Sequence, residues 1–65
     1  MTRLKMILLE KKMSQKELAK LSDIGEYRIS LLCNGIAKDL HISTAKRICE
    51  VLQVSLDDAF GDMNE

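Results

Sequence analysis

A chain of 65 residues has room for one domain and one small core. It is 46% hydrophobic with only two aromatics, Tyr27 and Phe60, three Gly and no Pro, which excludes most all-β designs and favours helices built on Leu, Ile, Met and Ala. The zero net charge conceals a division: residues 1–38 carry +4 and residues 39–65 carry −4, a pattern that fits either a polyanionic partner on one side or chance clustering on a solvated surface.

The spacing of Leu4, Ile7 and Leu8 predicts a first helix from Arg3 to Lys12, with Thr2 as its cap and Met13 beyond its end. Ser14, followed three residues later by Glu17, reads as a capping box that opens a second helix running to about Leu21. Leu18, Ala19 and Leu21 are its expected inward residues. Ser22 and Asp23 break it, Ile24 plugs the turn, and Gly25 caps a third helix from Glu26 to Cys33, buried through Ile29 and Leu32. Asn34-Gly35 is the stop, since both residues tolerate the left-handed conformation. A loop from Ile36 to Leu40 leads to a fourth helix, roughly Ile42 to Leu52, with Ile42, Ala45, Ile48, Cys49 and Leu52 on one stripe. Ser55 and Asp58 make a second box for a short last helix ending at Phe60-Gly61, and residues 61–65 read as a frayed tail. The expectation is a single all-α domain over residues 1–65, five short helices around one core.

Several chemistries fail on residue count. Cys33, Cys49 and His41 cannot supply the four ligands of a structural zinc site. Both cysteines sit among apolar neighbours, where a buried free thiol is expected rather than a disulfide. No nucleophile has the supporting base and orienting group of a triad, and there is no Gly-rich phosphate loop. No enzyme activity, cofactor or metal is expected. With no apolar run near the length of a membrane span and no cleavage-site pattern at the start, the chain is expected to be cytoplasmic.

The informative stretch is Ser14 to Gly35: a capped helix, a four-residue turn, a helix of about two turns and an Asn-Gly stop. A DNA-binding helix-turn-helix has this layout because the first helix braces on the backbone while the second enters the major groove. Ala19 is small enough for the two helices to cross closely. The segments Lys12-Met13-Ser14-Gln15-Lys16-Glu17-Leu18-Ala19, Ile24, Ile29-Ser30, Asn34-Gly35 and Leu52-Gln53-Val54-Ser55-Leu56-Asp57-Asp58 together resemble the phage-repressor (Cro-like, or XRE) helix-turn-helix family over nearly the whole chain.

That resemblance implies a compact five-helix, lambda-repressor-like DNA-binding domain, a homodimer on double-stranded operator DNA, and a transcriptional regulator, in all a repressor. It implies that Ser14 and Gln15 meet phosphates and that Glu26, Tyr27, Arg28 and Leu31 lie on the outward face of the recognition helix. Helical spacing independently puts these four opposite Ile29 and Leu32. Arg28 suits guanine or a phosphate, Glu26 cytosine N4, and Leu31 a thymine methyl; Ser30, Asn34 and Lys38 are phosphate candidates. Other roles compete: Glu26 is also an ordinary acid at a helix start, and Tyr27 and Leu31 also suit a protein interface. A protein-binding module on the same scaffold, an antirepressor or antitoxin-like partner, is therefore the alternative function, and a regulatory protein the alternative partner. Two departures from the family stand out. Leu8 and Cys33 replace an Arg–Glu pair that many members have, and Gly25 replaces the usual Ser or Thr cap. Leu9, Ile36, Leu40, Val51 and Met63 lie outside the inferred core and are candidates for a dimer contact.

Overall fold

The computed structural model describes residues 2–37 and 39–63. Among them are five helices, α1 (Arg3–Lys11), α2 (Gln15–Ser22), α3 (Glu26–Cys33), α4 (Ile42–Leu52) and α5 (Leu56–Phe60), then a 3₁₀ turn, Gly61–Met63, and no strand. Three helices start on a hydroxyl. Thr2, Ser14 and Ser55 accept from the backbone N–H of Lys5, Glu17 and Asp58. Only the last is a reciprocal box, with the Ser55 N–H donating to Asp58 Oδ2 at 3.3 Å; Ser14 caps α2 from one side alone.

Four helices end by one device. Lys12, Asp23, Gly35 and Gln53 adopt positive φ (55°, 59°, 71° and 57°). The next residue in each case is apolar, and its N–H reaches back five residues: Met13 to Leu8, Ile24 to Ala19, Ile36 to Leu31 and Val54 to Cys49. This is the hydrogen-bond pattern of a Schellman stop. Met13, Ile24 and Val54 pack against the core, whereas Ile36 is 60% exposed.

The core takes Leu4 and Leu8 from α1, Leu18 and Ala19 from α2, Ile29, Leu32 and Cys33 from α3, Ala45, Ile48, Cys49 and Leu52 from α4, and Ala59 and Phe60 from α5. Each fully buried Leu or Ile contributes about 1.5–3 kcal/mol. α2 packs on α3 and α4, while α1 packs on α3 and α5. None of the described helices is long and apolar enough to cross a membrane.

The structure corrects the sequence expectations at several points. α1 ends at Lys11, with Lys12 as its left-handed stop, and the turn between α2 and α3 has three residues, Asp23 to Gly25, because Ser22 is still helical. Leu21 is 56% exposed and Ile42 62% exposed, so neither faces the core. On a helical wheel the α2 core line falls between Leu18 and Ala19; Ser22 lies on that line and Leu21 about 110° away. Buried Ser22 is satisfied by donating its hydroxyl to the Leu18 carbonyl at 2.6 Å. Ile42 is the first residue of α4, a turn ahead of Ala45 and about 70° from its core line. Leu40 and Val51 pack on the core instead of standing free.

Residues 61–63 are not a frayed tail. Asp62 Oδ2 accepts from the Arg3 N–H at 3.0 Å, placing a carboxylate on the positive end of α1, whose own first turn has no acid. Arg3 Nη1 also donates to the Asp57 carbonyl at 2.9 Å and lies 3.9 Å from its carboxylate. Asn64, Glu65, Lys38 and the Met63 side chain lie outside the described residues.

Candidate nucleic-acid interface

The two central helices place the candidate residues. Ser14 Oγ takes the Glu17 N–H at 3.0 Å, and the first helical bond runs from Leu18 N–H to the Ser14 carbonyl. The N–H groups of Gln15 and Lys16 therefore have no acceptor within α2. They leave a partly positive helix end beside the half-buried Gln15 and the exposed Ser14 and Lys16. Asp23 then reverses the chain, Ile24 tucks against the core, and Gly25 (φ −57°, ψ 140°) starts α3 without a side-chain cap. A Cβ on Gly25 would meet nothing within 4 Å, so the position has open space in front of it.

On α3, Glu26, Tyr27 and Arg28 are exposed, Tyr27 at 78%, while Ile29, Leu32 and Cys33 are buried. Leu31, expected outward, is half-buried. Among the described residues no ion pair joins Glu26 to Arg28; at a spacing of two they point to different sides of the helix. Arg28 keeps its donors available, and Glu26 has no cation neutralising it from within α3. Ser30 is half-buried and accepts from Asn34 Nδ2 at 3.3 Å, so these two phosphate candidates are joined to one another at the end of α3. Their spacing of four residues was the sequence signal for that bond. Lys38 lies outside the described residues.

Lys11, Lys12, Lys16 and Lys20 are all exposed on α1, its stop and α2. Arg3, counted with the basic half in sequence, is in space tied to the acidic half through Asp57 and Asp62. His41 holds the N-cap position of α4 without making a side-chain capping bond. Burial pushes the Cys33 thiol up, against a smaller opposing pull from Lys5. The Cys49 thiol is raised by burial and then by Asp58, and it donates to the Ser55 carbonyl at 3.5 Å. Both are therefore neutral thiols at pH 7, packed as small apolar groups. Among the described residues no three His, Cys, Asp or Glu side chains come together as metal ligands.

Two short helices joined by three residues, the second with a bare polar face, set in a five-helix domain, define a helix-turn-helix protein. Residues 3–65 match the family model of the Cro/C1-type HTH DNA-binding domain, and the chain belongs to that family. Neither the curated proteins nor the solved structures contain a match to it.

Proposed function

We propose that the protein is a transcriptional repressor that binds operator DNA as a homodimer, with α3 in the major groove. The observation that carries this reading is the exposure of three consecutive polar-tipped side chains, Glu26, Tyr27 and Arg28, on the N-terminal half of α3, together with the open N-terminus of α2. Arg28 donates to a guanine edge, Glu26 accepts from cytosine N4, and Tyr27 and Leu31 offer apolar surface to thymine methyls. Ser14, Gln15, Ser30 and Asn34 meet phosphates and fix the register; Lys38 is assigned to the same group.

Size supports two copies. One such module covers too little DNA for tight specific binding. The described residues extend 28 × 21 × 19 Å; with about 3 Å of side chain at each end, two copies centred about 34–36 Å apart, one turn of DNA, would meet if their long axes lay along the DNA. Leu9 and Ile36, at 61% and 60% exposure, remain available for that contact. Repression follows from occupancy, because a bound dimer excludes other proteins from its site.

Enrichment of binding sites from random duplexes, followed by measurement of the protein-to-DNA ratio, tests the proposal. The expected product is a two-fold symmetric site holding two chains. Failure to retain any duplex at low salt would favour the protein-binding alternative, for which the 78% exposed Tyr27 is the supporting feature.

A further inference from the structure

The last turn of α3 presents carbonyls that have no partner within the helix. Most are met locally: Ser30 O accepts from Asn34 N–H at 3.0 Å, Leu32 O from Gly35 N–H at 3.3 Å, and Leu31 O from Ile36 and Ala37 N–H at 3.0 and 3.2 Å. The Cys33 carbonyl is met from the other end of the sequence, by the Thr2 hydroxyl donating at 2.7 Å. Thr2 Oγ1 in turn accepts from the Lys5 N–H at 3.1 Å, so one side chain caps the start of α1 and closes the end of α3. Thr2 Cγ2 lies 3.4 Å from where a Cβ on Gly35 would stand, so the methyl packs on the stop as well.

An eight-residue helix is not stable by itself and takes its orientation from what holds it. The N-terminal end of α3, at Gly25, has no side-chain bond. Its C-terminal end is tied to Thr2, and the adjoining Arg3 N–H is tied to Asp62. We propose that Thr2 is a positioning residue for DNA recognition: by bonding Lys5 N–H and Cys33 O together, its hydroxyl fixes the tilt of α3 and thereby the discrimination that Glu26, Tyr27 and Arg28 exert. This rests on α3 being the recognition helix.

Three variants separate the two bonds. Thr2→Ser keeps both. Thr2→Asp keeps the cap, since a carboxylate accepts from Lys5 N–H, but it has no hydrogen to give the Cys33 carbonyl. A groove of about 360 Å³ lined by Thr2, Lys5, Cys33, Asn34 and Asp62 gives the longer side chain room. Thr2→Val loses both bonds. Affinity is measured for an enrichment-selected duplex and a scrambled duplex, at one salt concentration and at a temperature where circular dichroism shows every variant folded.

The ratio of the two affinities removes the general repulsion of the added carboxylate. Thr2→Ser is expected to keep the wild-type ratio and Thr2→Asp to lower it about five- to tenfold, part of what one well-placed base contact supplies. Should Thr2→Asp not fold, Thr2→Val against Thr2→Ser decides in the same way. A ratio unchanged in Thr2→Asp and Thr2→Val, or lowered equally in Thr2→Ser, overturns the proposal. A wild-type chain that binds neither duplex overturns the DNA reading beneath it, and amide exchange tells that failure from a failed clamp. Thr2→Asp should speed exchange at Asn34, Gly35 and Ile36 about tenfold relative to α4 if the clamp holds α3. Unchanged exchange there means that Thr2 positions nothing.

Discussion

Arg28 and Gln15 are two polar residues to which the proposed DNA complex gives different work, by their place on a helix. Arg28 projects from the bare face of α3, while Gln15 sits half-buried at the start of α2. Arg28→Ala is expected to cost roughly 1–3 kcal/mol on a selected site and less on a scrambled one. Gln15→Ala should weaken both by similar factors, because phosphates carry no direct sequence information. Parallel titrations of the two duplexes at matched salt check this, and equal losses for Arg28→Ala would move it to the backbone-contacting group. The cysteines make a different prediction. Burial raises both thiols above their ordinary value of 9.0, so between the two values the folded chain binds more protons than the unfolded one. Their contribution to stability is therefore complete below pH 9 and is lost as pH rises through the folded values. Melting temperature should fall above that pH more steeply in the wild type than in a Cys33→Ala, Cys49→Ala variant. At pH 8 both thiols should react with a disulfide reagent only as fast as the domain opens.

Three of the five helices were legible from their starts, since Thr2, Ser14 and Ser55 stand as hydroxyls before apolar runs and do cap, although Ser14 lacks the reciprocal bond of the expected box. Stops were harder to read. Only Gly35 carries the residue type that signals a left-handed end, while Lys12, Asp23 and Gln53 do the same work unannounced. The apolar residue that follows each, Met13, Ile24, Ile36 or Val54, is the readable clue. Faces were legible where several residues define the stripe and failed at the last turn of α2 and the first of α4, where one residue more or less decides the direction. For the candidate interface, the exposure of Glu26, Tyr27 and Arg28 followed from periodicity. The Thr2 bond to Cys33 spans 31 residues and has no sequence signature at all. Packing between α1 and α3 also frames a test of the departure from the family. Leu8 and Cys33 are 3% and 1% exposed in the one core, and the Lys5 ammonium, a turn before Leu8, already acts on the Cys33 thiol. Leu8→Arg or Cys33→Glu alone puts an unpaired charge there and is expected to cost about 3–5 kcal/mol. The double substitution should lose less stability than either single one, as measured in denaturant melts, and strict additivity would show that the two sites do not meet.

For the molecule as a whole, charge distribution governs association. Lys11, Lys12, Lys16, Lys20 and Arg28 are exposed, whereas Arg3 is engaged by the acidic end of the chain. Affinity for DNA should fall steeply with salt, with a log–log slope that steepens by about 0.9 for each phosphate neutralised. Replacing Lys46 and Arg47 on α4 should leave that slope nearly unchanged, and replacing Lys16 and Lys20 should flatten it. A slope near zero in the wild type would favour a protein partner. Finally, the left-handed stops bear on how long the molecule survives. A residue with a Cβ pays about 1–2 kcal/mol in that conformation, which glycine avoids. After the extra freedom glycine gives the unfolded chain, Gln53→Gly should still gain about 0.5–1 kcal/mol in a thermal melt. Among the described residues three positions are of this kind, Lys12, Asp23 and Gln53, and a domain of this size has only about 3–10 kcal/mol in total. The population that is open to proteases at any moment is set by that margin. Glycine at all three positions should therefore slow digestion by a nonspecific protease, and digestion at the wild-type rate would show that these stops do not set that margin.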